Sequence, residues 1–181
     1  NLATGVTHTV TIEWDTTKGG KHAIHYLTTF ERTVKTADPS LGVTGCNPLT
    51  PTIFAIPADP QVTGATPPVA PIPGNFELFG GTITAVQVPE DVGNTTCDGT
   101  NSLGSYCYSK GLGFDGDKTA AVTVSFTTTV ANPVLAWGGH IATRQDWGIG
   151  GSAVAISGSP YHTRLIDLDG QGGNQDRSLS A

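Results

Sequence analysis

Two stretches alternate between apolar and polar residues, and they constrain the fold more than anything else in the chain. Val6, His8, Val10, Ile12 and Trp14 fall on one side of the first, with Thr7, Thr9, Thr11, Glu13 and Asp15 on the other. In the second, Lys118 to Val130, Val122, Val124, Phe126 and Val130 alternate with Thr123, Ser125, Thr127 and Thr129. Period two is the mark of a half-buried β-strand. Threonine supports the reading, because β-branched side chains lose χ1 freedom in helices and pack well on a pleated surface. The hydroxyl face of the second stretch reads as a solvated ladder that an exported protein can also use for O-linked sugars.

Punctuation between these strands completes an all-β pattern. Ile53–Ile56 is a short apolar strand between prolines, and Asn75–Pro89 reads as two strands broken at Gly80-Gly81. His22–Lys35 fits a strand or a helix face, and its threonines favour the strand. The stretch 57–73, with prolines at 57, 60, 67, 68, 71 and 73, is expected to be extended, as an edge-covering loop or a linker. Ala153–Ser157 and His162–Leu168 read as the last strands. Only 13% of residues are charged, against a usual quarter, which favours strands and turns over helices. We therefore expect one antiparallel β-sandwich over residues 1–181, jelly-roll or immunoglobulin-like, with long Pro/Gly-rich loops; a boundary near 57–73 is the alternative.

Charge and cysteines narrow the setting. A net charge of −6 with no Lys/Arg run removes the electrostatic attraction on which nucleic-acid binding depends. No apolar run is long enough to span a bilayer, and Asn1–Gly5 lacks the features of a signal peptide. The chain contains no methionine, which points to a processed product after export or a segment of something longer. Cys97 and Cys107 bracket a short polar loop and are expected to form a disulfide. Cys46 then remains as a buried thiol, a link to another segment, or a bond between subunits.

The densest chemistry lies between Trp137 and Asp176. Asp167, Asp169 and Gln171 stand at positions one, three and five of a calcium-loop spacing, with Gly172 at six, and Asn174 and Asp176 offer further oxygens. Gln at five and Ser178 at twelve depart from that pattern, and the competing reading is a polar turn in which the side chains cap their own backbone. Calcium is the one cofactor the residues point to. Trp147, in an apparent loop, is a candidate sugar-stacking platform or a lid over the core. Asn94 opens a formal N-glycosylation sequon.

Catalytic signatures are weak. Neither the pair His22/His25 nor His140/His162 has a carboxylate in a known zinc spacing. Ser157-Gly-Ser159 is not a nucleophile elbow, and Glu13/Asp15 and Asp115/Asp117 are carboxylates two apart on strands, sharing a face without framing a substrate. We expect a non-enzymatic protein.

Four phrases carry a resemblance: Glu13–His22, Leu135–His140, Ile156–His162 and Gly173–Ser180. The chain resembles, over nearly its whole length, a family of large exported bacterial proteins in which this domain precedes prealbumin-like or collagen-adhesin B-type modules. The resemblance implies a surface or matrix role and transfers no catalytic residue. The expectation that follows is a structural subunit of an extracellular assembly (filament, pilus-like fibre, sheath or biofilm matrix) or an adhesin stalk. Neighbouring copies are the expected partners, joined through the N-terminal strand of Val6, Val10, Ile12 and Trp14 by β-strand addition; removing residues 1–16 is then expected to abolish assembly. The alternative is a calcium-dependent carbohydrate-binding module using Trp147 and the aspartate loop.

Overall fold

The structure, a computed structural model, describes residues 1–33, 35–46, 49–92, 95–158 and 161–179. The chain opens with β1 (Thr7–Lys18), turns through Gly19-Gly20 into β2 (Lys21–His22), and continues as β3 (Ile24–Thr28). After a loop come β4 (Thr52–Ala55), the single-turn helix α1 (Pro60–Thr63), β5 (Asn75–Phe79) and β6 (Gly81–Gln87). Four two-residue strands follow, β7 (Asp91–Val92), β8 (Thr95–Thr96), β9 (Ser102–Leu103) and β10 (Tyr106–Cys107). The C-terminal third holds β11 (Lys118–Thr128), β12 (Val134–Ala136), β13 (Gly138–Ile141), helix α2 (Arg144–Gly151), β14 (Tyr161–Leu168) and β15 (Gln171–Leu179).

The main sheet has eight strands, ordered β15-β14-β1-β11-β10-β9, with β2 on β1 and β6 on β11. All its pairings are antiparallel. The two alternating stretches lie side by side at its centre, registered from Thr7 opposite Thr127 to Thr17 opposite Lys118. Their apolar sides form one face, where Ile12, Trp14, Val122 and Val124 are at most 1% exposed. Two smaller antiparallel sheets, β12-β5-β4 and β13-β3, supply Phe76, Leu78, Ile24 and Leu27 to the same apolar cluster. Two layers closing over one core make this an all-β sandwich.

Central placement changes the fate of the hydroxyl face. Thr123 and Ser125 are only 8% exposed, so the first half of the expected solvated ladder is covered, while Thr127 is partly buried and Thr129 is exposed. Thr11 and Thr123 satisfy each other across the β1–β11 pair, Oγ1 to Oγ1 at 2.8 Å, which spares both hydroxyls the cost of unpaired burial.

The proline-rich stretch is neither wholly extended nor detached. Asp59 caps α1 by accepting the Gln61 N–H at 2.8 Å, with Pro60 in the first helical turn where its missing N–H costs nothing. Val62 and Val69 then bury beside Tyr26. Asp59 is itself 1% exposed and also accepts the Tyr108 hydroxyl at 2.6 Å, and burial raises its carboxyl pKa. Ala153–Ala155, expected as strand, forms a 3-10 turn. Among the described residues no helix is long and apolar enough to cross a membrane.

Candidate functional site

The tightest convergence of polar chemistry lies where β13 pairs with β3. Each residue of β3 is buried, and the register sets His140 opposite Tyr26, beside His25. Gly138 and Gly139 permit this approach: a Cβ on Gly138 would stand 2.8 Å from the Thr29 carbonyl, and one on Gly139 would stand 2.9 Å from Ile24 Cγ2. His25 Nε2 and His140 Nδ1 come to 2.7 Å, and Tyr26 stacks on the His140 ring at 4.6 Å.

Helix α2 closes the site. Thr143 caps it, accepting the Asp146 N–H at 3.2 Å and donating its hydroxyl to Asp146 Oδ2 at 2.6 Å. That fixes Asp146 on the first turn with Oδ2 4.0 Å from His25 Nε2. The next residue, Trp147, donates its indole N–H to His25 Nδ1 at 2.6 Å and stacks on His22 at 3.4 Å. Phe114 meets the indole at 5.4 Å.

Proton positions follow from these contacts. An indole nitrogen only donates, so His25 Nδ1 accepts and the ring proton sits on Nε2, from where it is donated to His140 Nδ1. Burial, reinforced by His140, pushes His25 down to about 3, and burial pushes His22 down to about 4. Burial also lowers His140. All three rings are neutral at pH 7, and Trp147, His25 and His140 form a chain of directed hydrogen bonds, with His22 stacked on the indole.

The opposite face of the main sheet carries a second polar feature. Arg164 stands opposite Glu13 in the β1–β14 register. Its guanidinium donates from Nη1 to Glu13 Oε1 at 3.1 Å and to Asp15 Oδ1 at 2.9 Å, and its Nε lies 3.6 Å from Asp176 Oδ2. Asp15, buried to 3% exposure, also accepts the His162 N–H at 3.0 Å. Beside this network runs a groove of about 760 Å³ lined by Thr9, Thr11, Glu13, Asp91, Thr123 and Asp167 among others.

The residues singled out by sequence are distributed as follows. Asp169 and Gly170, both at positive φ, form the two-residue turn of the β14–β15 hairpin. This is the Asp-Gly turn whose twist matches flanking strands. Asp167 accepts the Gly170 N–H at 3.1 Å, Asp169 binds His8 Nδ1 at 2.6 Å and the Thr9 N–H at 2.8 Å, and Asp176 binds His162 at 2.7 Å. Gln171 is exposed at the start of β15, and Asn174 lies within it. The calcium-loop geometry is thus replaced by a hairpin whose three carboxylates serve different partners. Among the described residues, the one group of three His, Cys, Asp or Glu side chains with donor atoms mutually within 4.8 Å is His25, His140 and Asp146.

Trp147 is not an open stacking platform, because His22 covers one ring face and the indole N–H is committed to His25. It belongs to a helix rather than a loop. Over Val10–Trp14 the N-terminal strand β1 is paired on both sides, by β11 and β14, so it has no free edge there within this chain. Val10, Ile12 and Trp14 are buried, while Val6, which precedes the strand, is 47% exposed.

Cys97 and Cys107 form the expected disulfide, and Cys46 is a buried free thiol beside the Ser40 hydroxyl. Asn94 lies outside the described residues. His140 and His162 do not meet, since one joins His25 and the other Asp176. Glu13 and Asp15 are tied to Arg164, Asp117 to Lys18 and the Gly19 N–H, and Asp115 to Lys118. Glu13 and Asp15 therefore anchor β14 to β1, while Asp115 is a surface carboxylate. No protein-family model, curated protein sequence or solved structure matches this chain.

Proposed function

We propose that this domain is a non-enzymatic structural module of an extracellular assembly, and that it joins neighbouring copies through the edge of β15. The observation that carries the reading is that β15, nine residues long, pairs only with β14 among the described residues. An edge strand presents unpaired N–H and C=O groups to any chain that lies beside it. Gln171, Gln175, Asp176, Arg177 and Ser178 are all exposed along it. The charged pair Asp176-Arg177 discourages promiscuous pairing and favours a partner with complementary charge. The disulfide accords with an oxidising exterior, as does the resemblance to exported bacterial surface proteins.

The test uses the alternation of an antiparallel ladder, in which successive N–H groups point toward and away from the paired strand. Gln175→Pro and Ser178→Pro, three residues apart, remove one inward and one outward donor. The outward variant is expected to keep its circular dichroism and lose the filaments or oligomers seen by electron microscopy and sedimentation. Assembly surviving in both variants, or a parent chain that stays monomeric at every concentration, rejects this route.

The groove beside Arg164 supports a second reading, a carbohydrate-binding module. Its hydroxyl floor of Thr9, Thr11 and Thr123 and its flanking carboxylates suit a hydroxyl-rich ligand. Silence on a glycan array, with and without calcium, would remove it.

A further inference from the structure

We propose that His25, His140 and Asp146 bind one divalent transition-metal ion of the zinc or cobalt class. Two imidazoles and a carboxylate are a donor set suited to such ions, and three protein ligands leave a fourth position for water. The three side chains come from separate elements: His25 from buried β3, His140 from the partner strand β13, and Asp146 from the first turn of α2.

Distances allow the site to close on an ion. Ligands about 2.0–2.1 Å from a tetrahedral zinc stand roughly 3.3 Å from one another. Here His25 Nε2 lies 2.7 Å from His140 Nδ1 and 4.0 Å from Asp146 Oδ2. The imidazoles need to part by about half an ångström and Asp146 to approach by a similar amount. His140 and Asp146 are each only partly buried, so the outer side of the site is open to an arriving ion. The His140 Nδ1 lone pair accepts the His25 Nε2–H, and it is free to coordinate once that proton leaves.

His25 holds the opposing constraint. Its Nε2 carries a proton because Trp147 donates to Nδ1. Coordination through Nε2 requires that proton to leave and the neutral ring to be protonated at Nδ1 instead. Nδ1–H then faces the indole N–H, donor against donor, and the indole must withdraw. Metal-bound histidines normally give their second N–H to an acceptor, and an indole cannot serve as one.

The ion and Trp147 therefore compete for His25. Asp146 and Trp147 are adjacent on one helical turn, so drawing in the carboxylate and releasing the indole are two parts of one displacement. Gly148, at φ 72° and ψ 174°, interrupts the helix directly after them, which separates this turn from the rest of α2.

The experiment titrates chelator-treated full chain with Co(II) and Zn(II), following Co(II) visible absorption, calorimetric stoichiometry and tryptophan emission. One ion per chain is expected, with a change in emission as it binds. The variants avoid the fully buried His25: His140→Ala and Asp146→Asn should each weaken binding at least about tenfold while keeping the parent circular dichroism. Trp147→Phe, which deletes the competing donor, should bind the ion more tightly. His162→Ala controls for adventitious capture at the His162–Asp176 pair and should bind like the parent. No binding by the parent at millimolar Co(II), affinity unchanged in both His140→Ala and Asp146→Asn, or loss of binding in His162→Ala would each overturn the site. Weaker binding by Trp147→Phe would overturn the competition.

Discussion

Arg164→Met is the substitution whose cost the structure specifies most closely. The guanidinium bridges Glu13 and Asp15 at 3.1 and 2.9 Å, with side chains 13% and 5% exposed. At an effective dielectric near 20, each contact at about 3 Å represents roughly 5–6 kcal/mol of Coulomb attraction, much of it offset by desolvating the arginine. Removing one partner of a buried ion pair leaves the other charge uncompensated and typically costs about 3–5 kcal/mol. Asp15 keeps one hydrogen bond from the His162 N–H, and methionine retains the apolar stem, so we expect about 2–4 kcal/mol. The assay is urea unfolding followed by tryptophan fluorescence and circular dichroism. The control is the triple variant Glu13→Gln/Asp15→Asn/Arg164→Met, which removes the stranded charges and should recover most of the loss. A single variant within about 0.5 kcal/mol of the parent, or a triple variant no more stable than the single, would refute the assignment of Arg164 as the clamp between β1 and β14.

The histidines predict stability falling on both sides of neutrality. His22, held near 4 by burial, contributes stability that is complete above its unfolded value of 6.5 and is lost as pH falls toward 4; His22→Phe, which keeps the stack on Trp147, should flatten that acid limb in thermal melts. His8 is raised by donating to the Ala3 carbonyl and by Asp169, so its contribution is complete below 6.5 and lost as pH rises through the raised value. His8→Gln should weaken the alkaline limb. Cys97→Ser/Cys107→Ser opens a loop of sequence separation 10 and should cost about 2–3 kcal/mol, while Cys46, buried and raised by that burial, should react with a thiol reagent only after unfolding.

What could be read from the residues alone depended on whether the signal was local. The two strictly alternating stretches became β1 and β11 because period two survives any tertiary context that buries one face. That they are neighbours is not readable, since about a hundred residues separate them, and a hydroxyl ladder read without its neighbours looks like a solvated face. The Asp169-Gly170 turn was present as a hairpin signal, but the surrounding oxygens at alternate positions imitate a calcium loop. In the hairpin the same spacing divides them among β14, the turn and β15 rather than gathering them around a point. Helix α2 contains Gly148, Gly150 and Gly151 and has poor intrinsic propensity. It forms because Thr143 caps it and Trp147 docks on His22 and His25. The His25–His140 contact depends on the β3–β13 register across 115 residues, which no spacing in the sequence encodes.

The position of β1 also decides which truncation tests assembly. Deleting residues 1–16 removes Val10, Ile12 and Trp14, each worth about 1.5–3 kcal/mol in apolar burial. It also removes the strand between β11 and β14. That loss is comparable with the whole stability of a domain, so vanished polymers would report only an unfolded chain. The C-terminal strand gives the cleaner experiment. Gln171 and residues 175–178 of β15 are exposed, and among its described side chains the ties to the body are those of Asp176 with His162 and Arg164. A chain ending at Gly170 should therefore still unfold cooperatively, with a lower melting temperature, and should no longer form the parent's assemblies. Assemblies unchanged in that folded truncation would place the contact elsewhere than β15. Loss of cooperative unfolding would show that β15 is part of the core sheet rather than a removable edge.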